Sequence, residues 1–325
     1  MRSRLVTRRA AVAGALLLPA AGAVSAFPDR PVRVVLGFPA GSGPDVLARL
    51  LAEGLREVWP AGVAVDNKPG AAGAIAAQEV AKAAAPDGHT LLLGEVGQLA
   101  MAPSTYARLP YDPARDFAAV SEVASIDFAL VAPAAVPAAD LAGYLAWAKA
   151  QGSVFMGTFG AGTPGHFGAT ILAREAGLNA APVHFRSTGD AMTAVLNGDV
   201  QGMFGSVALV APHVRAGKLK ALATTGPARS GLLPEVPTTA EVGLPSLAFT
   251  AWFGLVAPAA TPGPVQAELD AAVLRALAAA PVRAKMQEAG FRVAGSGRTA
   301  FAALMRDETA RWAGVVRSTG FKAVE

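Results

Sequence analysis

The sequence contains no cysteine. That excludes a disulfide framework, a thiol nucleophile and a lipid-modified cysteine. Charge is scarce too: 16% of the 325 residues are Asp, Glu, Lys or Arg, against 53% apolar. Such a chain is not disordered, can bury a large core, and is long enough for two domains. The histidines, His89, His166, His184 and His213, are scattered without metal-ligand spacing, so no metal site is expected. No G-x-S-x-G elbow occurs, and spacing singles out no pair of carboxylates. No catalytic residue is therefore expected. Trp147, Trp252 and Trp312 fall on apolar faces and read as core.

What is present begins with a leader. Arg2, Arg4, Arg8 and Arg9 precede an apolar run from Ala10 to Ala23, and Val24-Ser25-Ala26 offers small residues for cleavage before Phe27. Residues 1–26 are expected to be a signal peptide, exported by the general secretory or the twin-arginine route, since Thr7-Arg8-Arg9 hints at the latter. The run falls short of the roughly 20 residues of a membrane span. The whole chain holds 28 basic and 24 acidic residues, and the leader holds four of the arginines and no acid. The remainder is formally neutral, so the high pI is no argument for nucleic acid or an anionic membrane. A soluble exported protein is expected.

Beyond the leader, hydrophobic runs alternate in type. Val32 to Leu36 is β-branched and strand-like; Gly37-Phe38-Pro39-Ala40-Gly41-Ser42-Gly43-Pro44 is a turn-forming loop; Val46, Leu47, Leu50, Leu51 and Leu55 have helical spacing. Asp45 is placed to start that helix. A strand emptying through a glycine-rich loop onto a helix N-terminus makes an anion-receptive nook, because the first backbone N–H groups have no helical partner and the dipole favours negative charge. The plan recurs at Val63–Asn67 with Lys68–Gly73 and at Val154–Thr158 with the loop to His166, and Thr90–Gly94 is a further buried strand. Strands are also expected at 128–132, 183–186, 200–204, 219–224 and 252–256, and helices at 264–280, 282–289 and 299–318. This alternation implies an α/β fold with a mostly parallel sheet. The expected division is a first domain over 27–124, a second over 125–225, and a return to the first over 226–325, with the change near Val123 to Ile126.

One motif needs weighing. Gly160-Ala161-Gly162-Thr163-Pro164-Gly165 fits G-x-G-x-x-G between a strand and a helix, and Arg186 near the end of the next strand could favour a 2′-phosphate. Against a dinucleotide stand its mid-chain position, Pro164, and the lack of an acidic residue after the next strand. A tight turn without ligand and a pocket wall for a small anion are the other readings.

Phe27-Pro28-Asp29-Arg30-Pro31-Val32-Arg33, Asn67-Lys68-Pro69-Gly70, Ala85-Pro86-Asp87-Gly88-His89-Thr90, Leu109-Pro110-Tyr111-Asp112-Pro113, Ala216-Gly217-Lys218-Leu219-Lys220-Ala221, Pro234-Glu235-Val236-Pro237-Thr238 and Trp252-Phe253-Gly254-Leu255-Val256 stand in order along the chain. Together they resemble the substrate-binding proteins of tripartite tricarboxylate transporters, the Bug or TctC-like receptors. The resemblance implies a periplasmic-binding-protein type II-like α/β fold, two doubly wound domains around a central cleft. It further implies a periplasmic monomer that binds a small molecule, needs no cofactor, and works with the membrane subunits of a tripartite transporter, with no role for nucleic acid.

Carried onto this sequence, the ligand pocket comprises Phe38, Pro39, Ala40, Gly41, Ser42, Gly43 and Asp45, with Glu95 and Val96 after the third strand. Facing them are Thr158, Phe159, Gly160, Ala161, Gly162, Thr163, His166 and Arg186, and the turn Phe204, Gly205, Ser206. Three departures from the family pattern stand out: Pro44, Glu95 in place of a small hydroxyl residue, and Phe185-Arg186-Ser187-Thr188-Gly189. If Glu95 faces the pocket, it disfavours di- and tricarboxylates and favours an amine, amide or zwitterion. Otherwise it turns to solvent or pairs with an arginine such as Arg186. An exported Rossmann-like enzyme and a receptor for a membrane sensor are the alternative functions.

Overall fold

The computed structural model describes residues 27–185 and 187–322. The leader at 1–26 and Arg186 lie outside the described residues. Among the described residues ten strands form the sheet: β1 (Val32–Leu36), β2 (Val63–Asn67), β3 (Thr90–Glu95), β4 (Phe117–Pro133), β5 (Val154–Thr158), β6 (Ala180–His184), β7 (Gly202–Ser206), β8 (Leu219–Thr224), β9 (Thr250–Pro258) and β10 (Arg292–Ser296). β1 pairs in parallel with β2 and β3, and β5 in parallel with β6 and β7. The helices between these strands supply the crossovers that parallel pairing demands.

β4 joins the two groups. Its first part, through Asp127, runs antiparallel to β9, which also pairs with β3, and to β10. Its last part, from Phe128, runs antiparallel to β7 and β8. The sequence places a strand only at 128–132, with a break just before it; the structure instead has one strand of 17 residues. Ser121, Glu122, Ser125 and Asp127 interrupt its apolar pattern, which hides it from hydrophobic periodicity. Three of them are matched by β10: Ser121 Oγ donates to the Ser296 carbonyl at 2.8 Å, and Glu122 accepts from Ser296 Oγ at 3.0 Å. Asp127 pairs with Arg292. Register shifts at Ala119/Ser121 and Glu122/Ala124 mark bulges in the strand.

A second element escapes sequence reading. After β3 the chain winds through one π-helical stretch, Gly97–Met101, and continues as the helical turn Ala102–Thr105. Sequence reading places no element after the strand ending at Gly94, yet Leu99, Ala100 and Met101 are fully buried.

The C-terminal helix Arg298–Thr319 completes the core. Phe301 stacks edge-on to Trp252 at 5.6 Å, and Trp312 packs on Phe167 at 5.9 Å and Phe249 at 6.2 Å. Trp252 and Trp312 are core residues, whereas Trp147 is half-buried. Gly254 of β9 lies flat against the Phe301 ring, and a Cβ there would overlap it. Gly254→Ala should therefore destabilise the fold by about 1–3 kcal/mol, the usual cost of overpacking. Adding Phe301→Leu should recover part of the loss. Urea denaturation of the two single variants and the double variant tests this; a neutral Gly254→Ala contradicts it.

Candidate functional site

The first wall of the cleft is the loop after β1. Asp45, 2% exposed, is its anchor. Its Oδ2 accepts from Gly41 N–H and from Arg49 Nε, both at 2.9 Å, and its Oδ1 accepts from Asn67 Nδ2 at 2.9 Å. Asn67 also donates to the Phe38 carbonyl at 3.0 Å, and Ser42 Oγ to the Pro39 carbonyl at 2.7 Å. Gly41 sits at φ 80°, a conformation only glycine adopts cheaply. The Arg49 guanidinium, helped by the Gly41 and Asn67 donors, holds the Asp45 carboxyl down at about 2 against the cost of its burial. Asp45 is thus spent on loop shape, while Phe38, Gly43 and Pro44 line the cleft.

The facing wall is the loop after β5. Thr163 Oγ1 donates to the Gly160 carbonyl at 2.9 Å and caps the helix Pro164–Ala176 by accepting from His166 N–H at 3.4 Å. His166 Nδ1 accepts from Gly162 N–H at 3.1 Å, which requires that nitrogen to be unprotonated. Burial and the neighbouring His184 push the His166 pKa down to about 4, so the acceptor survives at neutral pH. Thr158, fully buried, bonds His184 Nδ1 at 2.6 Å. His166 and Thr158 brace the loop.

Between the walls lies a cavity of about 390 Å³, lined from the first side by Phe38, Gly43 and Pro44 and from the second by Phe159, Thr163, Pro164 and Gly165. Its floor is Ile126 and Phe128 of β4 with Ala251 and Phe253 of β9. Four helices open onto it at their N-termini: Gly43–Arg56, Pro164–Ala176, Thr188–Asn197 and Val207–Arg215. No side chain caps the first and last of these, so their leading N–H groups remain available for an anion, with Pro44 of the first helix contributing none. A smaller chamber of about 100 Å³ adjoins, lined by Ala71, Ala72, Tyr106 and Tyr111 on one side and by Ala161, Gly162 and Thr163 on the other.

Glu95 lines both chambers, at the end of β3. Among the described lining residues of the larger cavity it is the one charged side chain. Burial raises its pKa from 4.5 to about 7, against the pull of the Gly97 and Gln98 backbone N–H groups at the start of the following helix. A side chain at position 97 would collide with the Glu95 carboxylate.

Of the residues named from sequence, Phe38, Gly43, Glu95, Phe159, Thr163 and Ser206 line the larger cavity, and Ala161 and Gly162 line the smaller. Val96, Phe204 and Gly205 are buried behind the surface, and Pro39, Ala40, Gly41, Ser42 and Gly160 shape the loops without lining either chamber. Sequence reading missed Ile126, Phe128, Phe253, Leu209 and Phe291. Only the course of β4 and β9 through the floor could have found the first three, and neither has a glycine-loop signature.

Two groups of strands sharing β4, with a ligand-sized cleft fed by helix N-termini, define the periplasmic solute-binding class. The solved structure of the periplasmic binding protein BugD is 29% identical, covers 92% of this chain and 100% of its own, and superimposes with a TM-score of 0.77. MatC from Rhodopseudomonas palustris, solved with bound malate, is 33% identical over 89% of this chain and 100% of its own, with a TM-score of 0.75. An R. palustris protein solved with adipate is 28% identical, covers 92% and 100%, and has a TM-score of 0.81. BugT of Bordetella pertussis is 32% identical over 98% of this chain and 99% of its own. The sequence profile of the tripartite tricarboxylate transporter family receptor matches residues 47–321. The chain belongs to that family of solute-binding receptors.

The Glu95 environment has a measurable consequence. Its folded-state pKa stands above its unfolded value, so its contribution is intact below about pH 4.5 and is lost as pH rises through about 7. Glu95→Gln, always neutral, should match the wild type at pH 4 and exceed it at pH 8 by up to about 3 kcal/mol. Urea denaturation of both proteins at the two pH values measures this; a difference independent of pH contradicts the buried carboxyl.

Proposed function

We propose that this receptor captures a small organic acid in the cleft between its two walls and hands it to the membrane subunits of a tripartite transporter. The observation that carries the reading is the convergence of four helix N-termini on one cavity of about 390 Å³, within the usual range for a small-molecule site. Backbone N–H groups at such termini hold a carboxylate without a cationic side chain. MatC and its R. palustris relative were solved with dicarboxylates, which supports an acid as the ligand class.

The chain acts as a monomeric, exported receptor of the periplasm and not as an enzyme. Its lobes follow the division 27–124, 125–225 and 226–325, the first residues 1–26 serving as the signal. They close by bending where the chain passes between them, at β4 near Asp127 and in the return from Thr224 to Thr250. The loop Gly160–Gly165 suits this role better than dinucleotide binding: His166 and Thr163 tie it to itself, and β6 ends at His184 rather than an acid.

A ligand that binds only the folded protein must raise its melting temperature by mass action. The purified protein should melt several degrees higher with at least one of malate, adipate or benzoate at about 1,000 times its Kd, equivalent to about 4 kcal/mol. Small-angle scattering should show a smaller radius of gyration with that acid present. No shift with any mono- or dicarboxylate would overturn the proposal.

A further inference from the structure

The larger cavity is unlike a site for a short, highly charged acid. Five phenylalanine rings, Phe38, Phe128, Phe159, Phe253 and Phe291, face into it, while the polar side chains are Glu95 and the hydroxyls of Thr163, Thr188 and Ser206. Phe253 and Phe291 stand edge to face at 6.1 Å, a wall against which a flat apolar body packs favourably. A ligand carboxylate has its natural place at the uncapped N-termini of Gly43–Arg56 and Val207–Arg215. Glu95 lies elsewhere in the lining, on β3 where the larger chamber meets the smaller.

We propose that Glu95 determines specificity: it receives a hydrogen-bond donor at the far end of an acid with a ring-sized apolar body and rejects acids with a second carboxylate there. The inference rests on the reading of the protein as an organic-acid receptor and goes further by naming which acids. Two arguments support it. A carboxylate is an acceptor when ionised, so a hydroxyl, amide or ammonium group satisfies it. A second carboxylate beside it either meets like charge in a partly desolvated site or forces one of the two to take up a proton. Apolar lining sharpens both effects, because the surrounding rings offer neither group a polar partner. The titratable groups near Glu95 are the Tyr106 and Tyr111 hydroxyls, whose pKa values burial and the Glu95 charge raise, so both are uncharged near neutrality.

Benzoate, 4-hydroxybenzoate and terephthalate share one body and differ only at the far end, which offers nothing, a donor or a second carboxylate. Calorimetric titration of the purified protein at pH 8 should rank 4-hydroxybenzoate tightest, with terephthalate at least about tenfold weaker, the factor that 1.4 kcal/mol of repulsion supplies. Malate should bind more weakly than 4-hydroxybenzoate. In Glu95→Gln, which keeps the shape and loses the charge, the gap should close to within about threefold, chiefly through tighter terephthalate binding. Lowering the pH to 6 should narrow the gap in the wild type and leave the variant unchanged, which a merely structural Glu95 would not produce. Equal wild-type affinity for the three benzoates, or a ranking untouched by Glu95→Gln, overturns the role of Glu95. Malate or adipate binding more tightly than every benzoate overturns the apolar body while leaving the receptor intact. Failure of all these acids to bind would remove the organic-acid reading itself.

Discussion

The structure depends on one strand having to satisfy two sets of neighbours. β4 is too long for either group of strands alone, and each half of it would be left unpaired if the group it pairs with were absent. Its two halves are bonded to different partners on both sides, and the partners change near Asp127. Asp127 is buried and paired with Arg292 of β10, and Gly226, in the segment returning from β8, is packed against both. A side chain at 226 would meet the Asp127 carboxyl at 2.6 Å. The two passages of the chain are thereby tied at one spot by a charge pair and a glycine.

The cleft follows from this arrangement. With β4 and β9 as floor, the loops at the ends of β1, β3, β5 and β7 rise as walls, and each leads into a helix N-terminus. Electrostatics suited to an acid therefore come from backbone geometry, and side chains are left to set shape and selectivity. That division explains why the polar residues of the two loops, Asp45, Thr158 and His166, are turned inward to hold the backbone.

The sequence made the walls legible and the floor illegible. Glycine loops between a β-branched run and a helical pattern have a local cause, the need for unusual φ at Gly41, Gly160 and Gly162, and local causes can be read locally. The floor residues Ile126, Phe128, Phe253 and Phe291 look like ordinary core, because what exposes them to a cavity is a pairing between segments more than a hundred residues apart. Glu95 was legible as a departure with two readings, into the pocket or away to solvent or an arginine. The choice between them needs the fold, where Glu95 stands before the helical stretch from Gly97 and lines both chambers.

The late position of β9 and the last helix has a consequence for how the molecule is made. β3 has β9 as a neighbour across a gap of some 160 residues, and Phe301 and Trp312 seal a core that also contains Val35, Leu92 and Phe167. The first three strands emerge early yet cannot complete a stable sheet until nearly the whole chain is available. Assembly is consequently a closing event governed by distant contacts, slow to begin and cooperative once begun. A nascent chain of this design stays threadable until its end has been synthesised.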